Sequence, residues 1–258
     1  MFTLRRVGVP AYALTSFSML CGAPAAAGSY TYTSIAAPGQ MSSFAEGVND
    51  NNQVVGGFTD SAGVHHGFVW DSSTFTQVDG TNESSTSNTL LGAINDNGVA
   101  SGQYFENGNA DEVSFLYTLS TGQQQLVQKT GMNVAQNALN ASGVMVGDAF
   151  TAKTDKAFMT NRTTVKLLKV PGAKHRSAAT SINDSGTIVG SYVDAGHTRH
   201  GFLYQSGSYT SFDPPGSADT TPAFVTDTGV IGGTDVDGAG MSHGFTLSGG
   251  TYTNGPKC

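Results

Sequence analysis

Residues 181–194 read SINDSGTIVGSYVD: a strand, a tight turn and a second strand. Asn183 and Asp184 can hydrogen-bond the backbone of their own turn, and Gly186 accepts positive φ without steric cost. β-Branched and aromatic residues flank the corner, as strands prefer. The same stretch occurs four more times. Asn49–Gly56, Asn95–Gly102, Asn140–Gly147, Asn183–Gly190 and Thr226–Gly233 align, with steps of 46, 45, 43 and 43 residues between their first positions.

A second landmark follows each copy. Phe68, Phe115, Phe158, Phe202 and Phe245 lie 19, 20, 18, 19 and 19 residues beyond the first position. In three copies the local string is His-Gly-Phe, at His66, His200 and His243. A third landmark closes several copies, as in YTSFDPPG at 209–216 and VKLLKVPG at 165–172. Each copy reads as four short strands, which in the fourth copy are Ala179–Asn183, Ile188–Val193, His200–Tyr204 and Tyr209–Asp213.

One such sheet cannot bury both of its faces alone. Stacked radially, each sheet covers its neighbour and leaves only short edges. A period of about 40–45 residues with four strands predicts a β-propeller, and five copies predict five blades. The repeats run approximately over 44–89, 90–133, 134–177, 178–220 and 221–258. Residues 32–39 read YTSIAAPG and match the last strand of a later copy. The expectation is that this segment, residues 30–39, joins the fifth sheet and closes the ring. Residues 250–253, GTYT, compete for the same place.

The shared elements are Ile-Asn-Asp-x-Gly-x-(Ile/Val)-Val-Gly, then His-Gly-Phe-Leu-Tyr, then Gly-x-Tyr-Thr-x-Phe-Asp-x-Pro-Gly, best seen over Ser181–Gly216. Together they resemble the HAF-type extracellular repeat family of bacteria. The likeness covers about residues 30–250; Val113-Ser114-Phe115 and Lys156-Ala157-Phe158 depart from it. The resemblance implies export and a repeated β architecture. It implies no reaction and carries no catalytic residues.

The N-terminus agrees with export. Arg5 and Arg6 precede a largely apolar stretch from Val7 to Cys21, and Ala25-Ala26-Ala27 offers small residues for cleavage. This is the grammar of a secretory signal peptide over residues 1–27, leaving one domain over 28–258. Pro10, Thr15, Ser16 and Ser18 interrupt the stretch, which falls short of the ~20 residues of a membrane span. Loss of the two arginines takes the formal charge from −7 to −9. Such an acidic chain is a poor partner for nucleic acid, which needs clustered Lys and Arg. The predicted location is extracellular or periplasmic. After cleavage Cys258 stands alone, so no internal disulfide supports the fold.

Several constellations are candidates for chemistry. Asp60 precedes His66 by six residues, and Asp194–His200 and Asp237–His243 repeat the spacing. A ligand site presented three times is one reading. A hydrogen bond fixing each hairpin is the other, and it weighs more, because residues facing across a hairpin pair naturally. Asp235 and Asp237 alternate as calcium ligands do, but Met241 and Ser242 follow where further ligands are needed. No cofactor is expected, a weak calcium site at Asp235 and Asp237 standing as the minor alternative, and the six histidines lack zinc spacing. A serine hydrolase is disfavoured, since no Gly-x-Ser-x-Gly elbow occurs.

Glycosidase or lyase chemistry would need converging carboxylates. The first strands offer Glu46, and loops could add Glu83 or Asp111-Glu112. Trp70, Tyr104, Tyr117, Tyr192 and Tyr204 could stack on sugars or pack between blades. The sequence therefore predicts an exported binding module for an extracellular polymer or a surface protein. The alternatives are a polysaccharide hydrolase or lyase with loop-supplied acids, and a purely structural repeat protein.

Overall fold

A computed structural model describes residues 33–36, 39–72, 74–81, 88–106, 111–161 and 164–254. Residues 1–27, where a signal peptide is expected, Glu83 and Cys258 lie outside the described residues. Those residues form five four-stranded antiparallel sheets and no helix. The first sheet is β1 (Ser42–Val48), β2 (Gln53–Thr59), β3 (His65–Asp71) and β4 (Thr74–Val78). The second is β5 (Thr89–Ile94), β6 (Val99–Glu106), β7 (Asp111–Thr118) and β8 (Gln123–Val127). The third is β9 (Asn133–Leu139), β10 (Met145–Phe150), β11 (Asp155–Thr160) and β12 (Val165–Leu167). The fourth is β13 (Ser177–Ile182), β14 (Ile188–Val193), β15 (Arg199–Gln205) and β16 (Ser208–Phe212). The fifth is β17 (Ser217–Val225), β18 (Ile231–Asp237), β19 (Ser242–Ser248) and β20 (Thr251–Asn254). Strands follow chain order in every sheet, as blades of a propeller do.

Apolar clusters join each blade to the next. Val55 and Val69 meet Leu91 and Phe115 between the first and second blades. Leu116 and Val127 meet Val134 and Phe158 between the second and third. Val146 and Leu168 meet Ile188 and Phe202 between the third and fourth. Val189 and Phe212 meet Ile231 and Phe245 between the fourth and fifth. In the second to fifth blades the repeated Phe thus plugs the junction with the preceding blade, while Phe68 packs against Ile35, Val54 and Phe58. Burying a ring of this size stabilises by about 1.5–3 kcal/mol.

The Gly that ends each repeat signature has an equally local cause. Every first strand carries a β-bulge at the same place, skipping Glu46, Gly92, Asn137, Thr180 and Ala223 in the register. The bulge pushes the first strand's backbone onto the second strand. A Cβ at Gly56, Gly147, Gly190 or Gly233 would run into the carbonyl oxygen of Phe44, Ala135, Ala178 or Thr221, and at Gly102 it would meet Leu90 and Leu91.

The Asn that opens each signature works twice. Its Oδ1 accepts the backbone N–H four residues on, from Gln53, Val99, Val144 and Thr187. Its Nδ2 donates to the carbonyl of the matching residue in the next blade. Asn49 donates to Asn95 at 3.0 Å, Asn95 to Asn140 at 3.0 Å, Asn140 to Asn183 at 3.1 Å and Asn183 to Thr226 at 2.9 Å. A rail of four rungs, three buried and the last part-buried, therefore ties five blades together. Thr226 ends it: its Oγ1 accepts Val230 N–H, but it has no amide to donate.

The closing strand departs from expectation. Residues 33–36 form no strand, and Ile35 is buried against Val54, Phe58 and Phe68 on the first blade. The fifth sheet takes its fourth strand from β20, which pairs with β19. Gly249 and Gly250 supply the two positive-φ residues of that hairpin turn. A two-residue turn costs far less loop-closure entropy than recruiting a strand from the other end of the chain.

Candidate functional site

The structure brings all three Asp/His pairs together. Asp60 Oδ2 lies 3.5 Å from His66 Nε2, Asp194 Oδ2 lies 3.5 Å from His200 Nε2, and Asp237 Oδ2 lies 3.0 Å from His243 Nε2. The other carboxylate oxygen is committed to the hairpin. Oδ1 accepts N–H groups of Ala62 and Val64, of Gly196 and Thr198, and of Ala239 and Met241. A third partner, which sequence reasoning missed, appears in two copies. His66 Nδ1 is 2.7 Å from Asp79, and His200 Nδ1 is 2.7 Å from Asp213. The signal was there: both aspartates stand thirteen residues after their histidine.

These contacts set the charges. The Val64 N–H holds Asp60 below the usual carboxylate range, and the Thr198 N–H does the same for Asp194. The His243 hydrogen bond, with Met241 N–H, draws Asp237 down to about 2. Burial pulls the His200 imidazole down, but Asp213 and Asp194 outweigh it and leave the ring above its ordinary value. Both nitrogens of His200 face carboxylates, so neither is free to activate a nucleophile. The triad pins the β14–β15 hairpin to the end of β16. The three pairs are hairpin staples. Asp237 is spent on its turn and its histidine, and Asp235 is buried. Among the described residues no group of three or more His, Cys, Asp or Glu is placed to hold a metal ion.

Two other places remain. The first joins blades two and three. Glu112 on β7, Asp148 on β10 and Asp155 on β11 carry raised carboxyl pKa values, burial being the largest cause in each. Glu112 is pushed up to about 7, with Asp148 adding repulsion. A raised acid favours the folded state below its ordinary value of 4.5, and that contribution is lost as pH rises towards 7. Glu112→Gln is therefore expected to stabilise the protein above neutrality and to change little in acid. With its partial exposure discounted, the gain is about 1 kcal/mol, roughly 2–4 °C in Tm. Thermal unfolding of both proteins across pH measures it.

The second is a cleft of about 510 Å³ between the first and second blades. That lies within the ~300–1,000 Å³ of small-ligand sites. Asp71, Thr74 and Thr76 line it from the first blade, and Asp96, Asn97 and Tyr117 from the second. It opens where the chain departs from its own repeat. In the fourth blade Tyr204 of the third strand meets Tyr209 of the fourth strand, with ring centroids 4.9 Å apart. In the second blade Tyr117 stands opposite Gln124 instead, and Gln124 reaches away to the Asp79 carbonyl. Tyr117 has no ring partner among the described residues, is half-buried and borders the cleft. The other aromatics are placed differently. Tyr104 and Tyr192 are buried, and Trp70 packs beside Phe75.

No family model matches this chain, and no characterised protein matches it in sequence. Solved structures do match in fold. TolB of Acinetobacter baumannii superposes with TM-score 0.53 at 15% identity, over 78% of this chain and 52% of that one. Dipeptidyl peptidase 4 of Porphyromonas gingivalis superposes with TM-score 0.54 at 8% identity, over 75% of this chain and 29% of that one. The chain thus spans about half of the first protein and under a third of the second. A lectin of Aleuria aurantia, a six-bladed β-propeller, gives TM-score 0.43 at 13% identity, over 79% of this chain and 73% of that one. The five four-stranded antiparallel sheets have the blade architecture of β-propellers. At these identities the likeness is one of architecture.

Proposed function

We propose that this chain is an exported β-propeller binding module of the HAF type, which holds an extracellular carbohydrate in the cleft between its first and second blades. One observation carries the reading: Tyr117 is left without a ring partner at the junction where a polar cleft opens. A tyrosine beside hydroxyl, amide and carboxylate groups suits a sugar, which offers an apolar ring face and polar edges. Isothermal titration with the β-1,4-linked hexamers of glucose, N-acetylglucosamine and glucosamine tests it. At least one hexamer should bind, and Tyr117→Ala, checked for an intact fold by circular dichroism because the ring also packs against the cluster between these blades, should weaken it about tenfold or more. Binding untouched by Tyr117→Ala would move the site elsewhere.

A hydrolase or lyase is the second reading, favoured by Glu112 and Asp148. Two neighbouring carboxyls with raised pKa values are what general acid–base cleavage needs. It expects new reducing or unsaturated ends from a polysaccharide, abolished in Glu112→Gln.

A further inference from the structure

Among the five copies Asp71 is the only carboxylate at its position, and its bond to Gln53 is matched in the fourth blade, where Gln205 donates to Thr187 Oγ1 at 3.2 Å. The counterparts of Asp71, three positions after the repeated Phe, are Thr118, Asn161, Gln205 and Ser248. Gln53, which donates to Asp71 Oδ2 at 3.2 Å, is also singular, with Val99, Val144, Thr187 and Val230 in its place. Both residues line the cleft, together with Tyr117.

Asp96 is the second carboxylate, brought by the β5–β6 turn of the next blade. Its Oδ1 accepts the Asp50 N–H at 2.8 Å, an inter-blade bond that Asp184 and Asp227 repeat with the N–H groups of Ala141 and Asp184, and at this junction the residue also lines the cleft. Asp71 and Asp96 each keep an oxygen with no hydrogen bond to a described residue. Among the described residues no Lys, Arg or His lines the cleft, and two carboxylates, one from each blade, line it together with the tyrosine.

We infer that the cleft selects sugars bearing a protonated amine, as in a glucosamine polymer, over their neutral or N-acetylated counterparts. This inference rests on the carbohydrate reading above. An ammonium group would donate charge-assisted hydrogen bonds to Asp71 and Asp96. The ring of Tyr117 would take the sugar face and add attraction for the nearby cation. An N-acetyl group removes the charge and leaves both carboxylates without a cation.

The same three hexamers decide it, titrated in mildly acidic buffer at low and at raised salt, with hexalysine as a fourth ligand. The glucosamine hexamer should bind about tenfold more tightly than the other two, and added salt should shrink that margin. Asp71→Asn should abolish the preference, bringing the affinity for the glucosamine hexamer down to that for the neutral hexamers. Asp71 is exposed on the surface, so the variant should keep its Tm. Equal binding of all three hexamers, or a preference that survives Asp71→Asn, overturns the amine inference and leaves the carbohydrate reading standing. Binding of no hexamer overturns both. Hexalysine binding as tightly as the glucosamine hexamer, with no loss in Tyr117→Ala, shows charge attraction without a sugar site and also overturns it.

Discussion

Replacing Gly147 by alanine is expected to lower Tm by roughly 6–12 °C, or to prevent folding, for a cost of about 3 kcal/mol. The cause is a single methyl group. Gly147 lies on β10 directly beneath the bulge of β9, and its Cβ would overlap the carbonyl oxygen of Ala135. A backbone carbonyl cannot rotate away as a side chain can. The strand would have to lift, and Phe158, whose ring also borders this Cβ position, would lose its packing against the second blade. Gly238→Ala is the control, because a Cβ there meets nothing. It should leave Tm within about 1–2 °C of the parent. Circular dichroism melts of the two variants suffice. An unchanged Tm for Gly147→Ala would mean that the bulge is not held as described.

Asn140→Ala is expected to cost about 3 kcal/mol, the second largest effect. Asn140 is 4% exposed, accepts Val144 N–H at 2.9 Å and donates to Asn183 carbonyl at 3.1 Å. Alanine leaves the Val144 N–H without its partner and removes the inter-blade bond to the Asn183 carbonyl, which then keeps only the Gly186 N–H. The fifth copy suggests how to separate the two contributions. Thr226 keeps the turn bond to Val230 and has no onward donor. Asn140→Thr should therefore recover about half of the loss, restoring the turn within the blade but not the rung between blades. If Asn140→Thr melts with Asn140→Ala, the turn bond contributes little and the rail is the main stabilising element. If both melt with the parent, the rail contributes nothing.

Much of this was legible in the chain. The Asn-Asp-x-Gly corner, the Phe about nineteen residues later and the Gly closing each signature recur at fixed intervals, and each marks a local requirement: a turn, a plug, a close approach. Local requirements leave periodic traces. The second duty of the Asn was not legible. Its Nδ2 meets a residue more than forty positions away, and only the stacking of blades brings that carbonyl within reach. The Asp–His pairs were visible as spacings, and the hairpin reading of them matches the geometry. Their third partners, Asp79 and Asp213, hid at strand ends that the pairing argument did not consider.

The closing strand was misread for a physical reason. YTSIAAPG looks like a fourth strand, and so does GTYT. Sequence similarity ranks the first higher, but the hairpin through Gly249 and Gly250 brings β20 to β19 at almost no entropic cost. The cleft was harder still. Tyr117 was one of five aromatic candidates, and nothing singles it out, or marks Asp71 at all, until the copies are superposed and their neighbours compared. A tyrosine facing Gln124 instead of a ring, and a carboxylate where other copies carry Thr, Asn, Gln or Ser, are departures from a repeat. Such departures are the strongest functional signal this sequence holds.

The most direct test of the carbohydrate site is hydrogen exchange read by mass spectrometry, with and without the tightest-binding hexamer. Exchange should slow in peptides covering 51–53, 69–76, 96–98 and 117–120, and stay unchanged in the fourth and fifth blades. Slowing confined to the Glu112 and Asp148 segments, or no slowing at the junction of the first and second blades, would contradict a sugar site in this cleft.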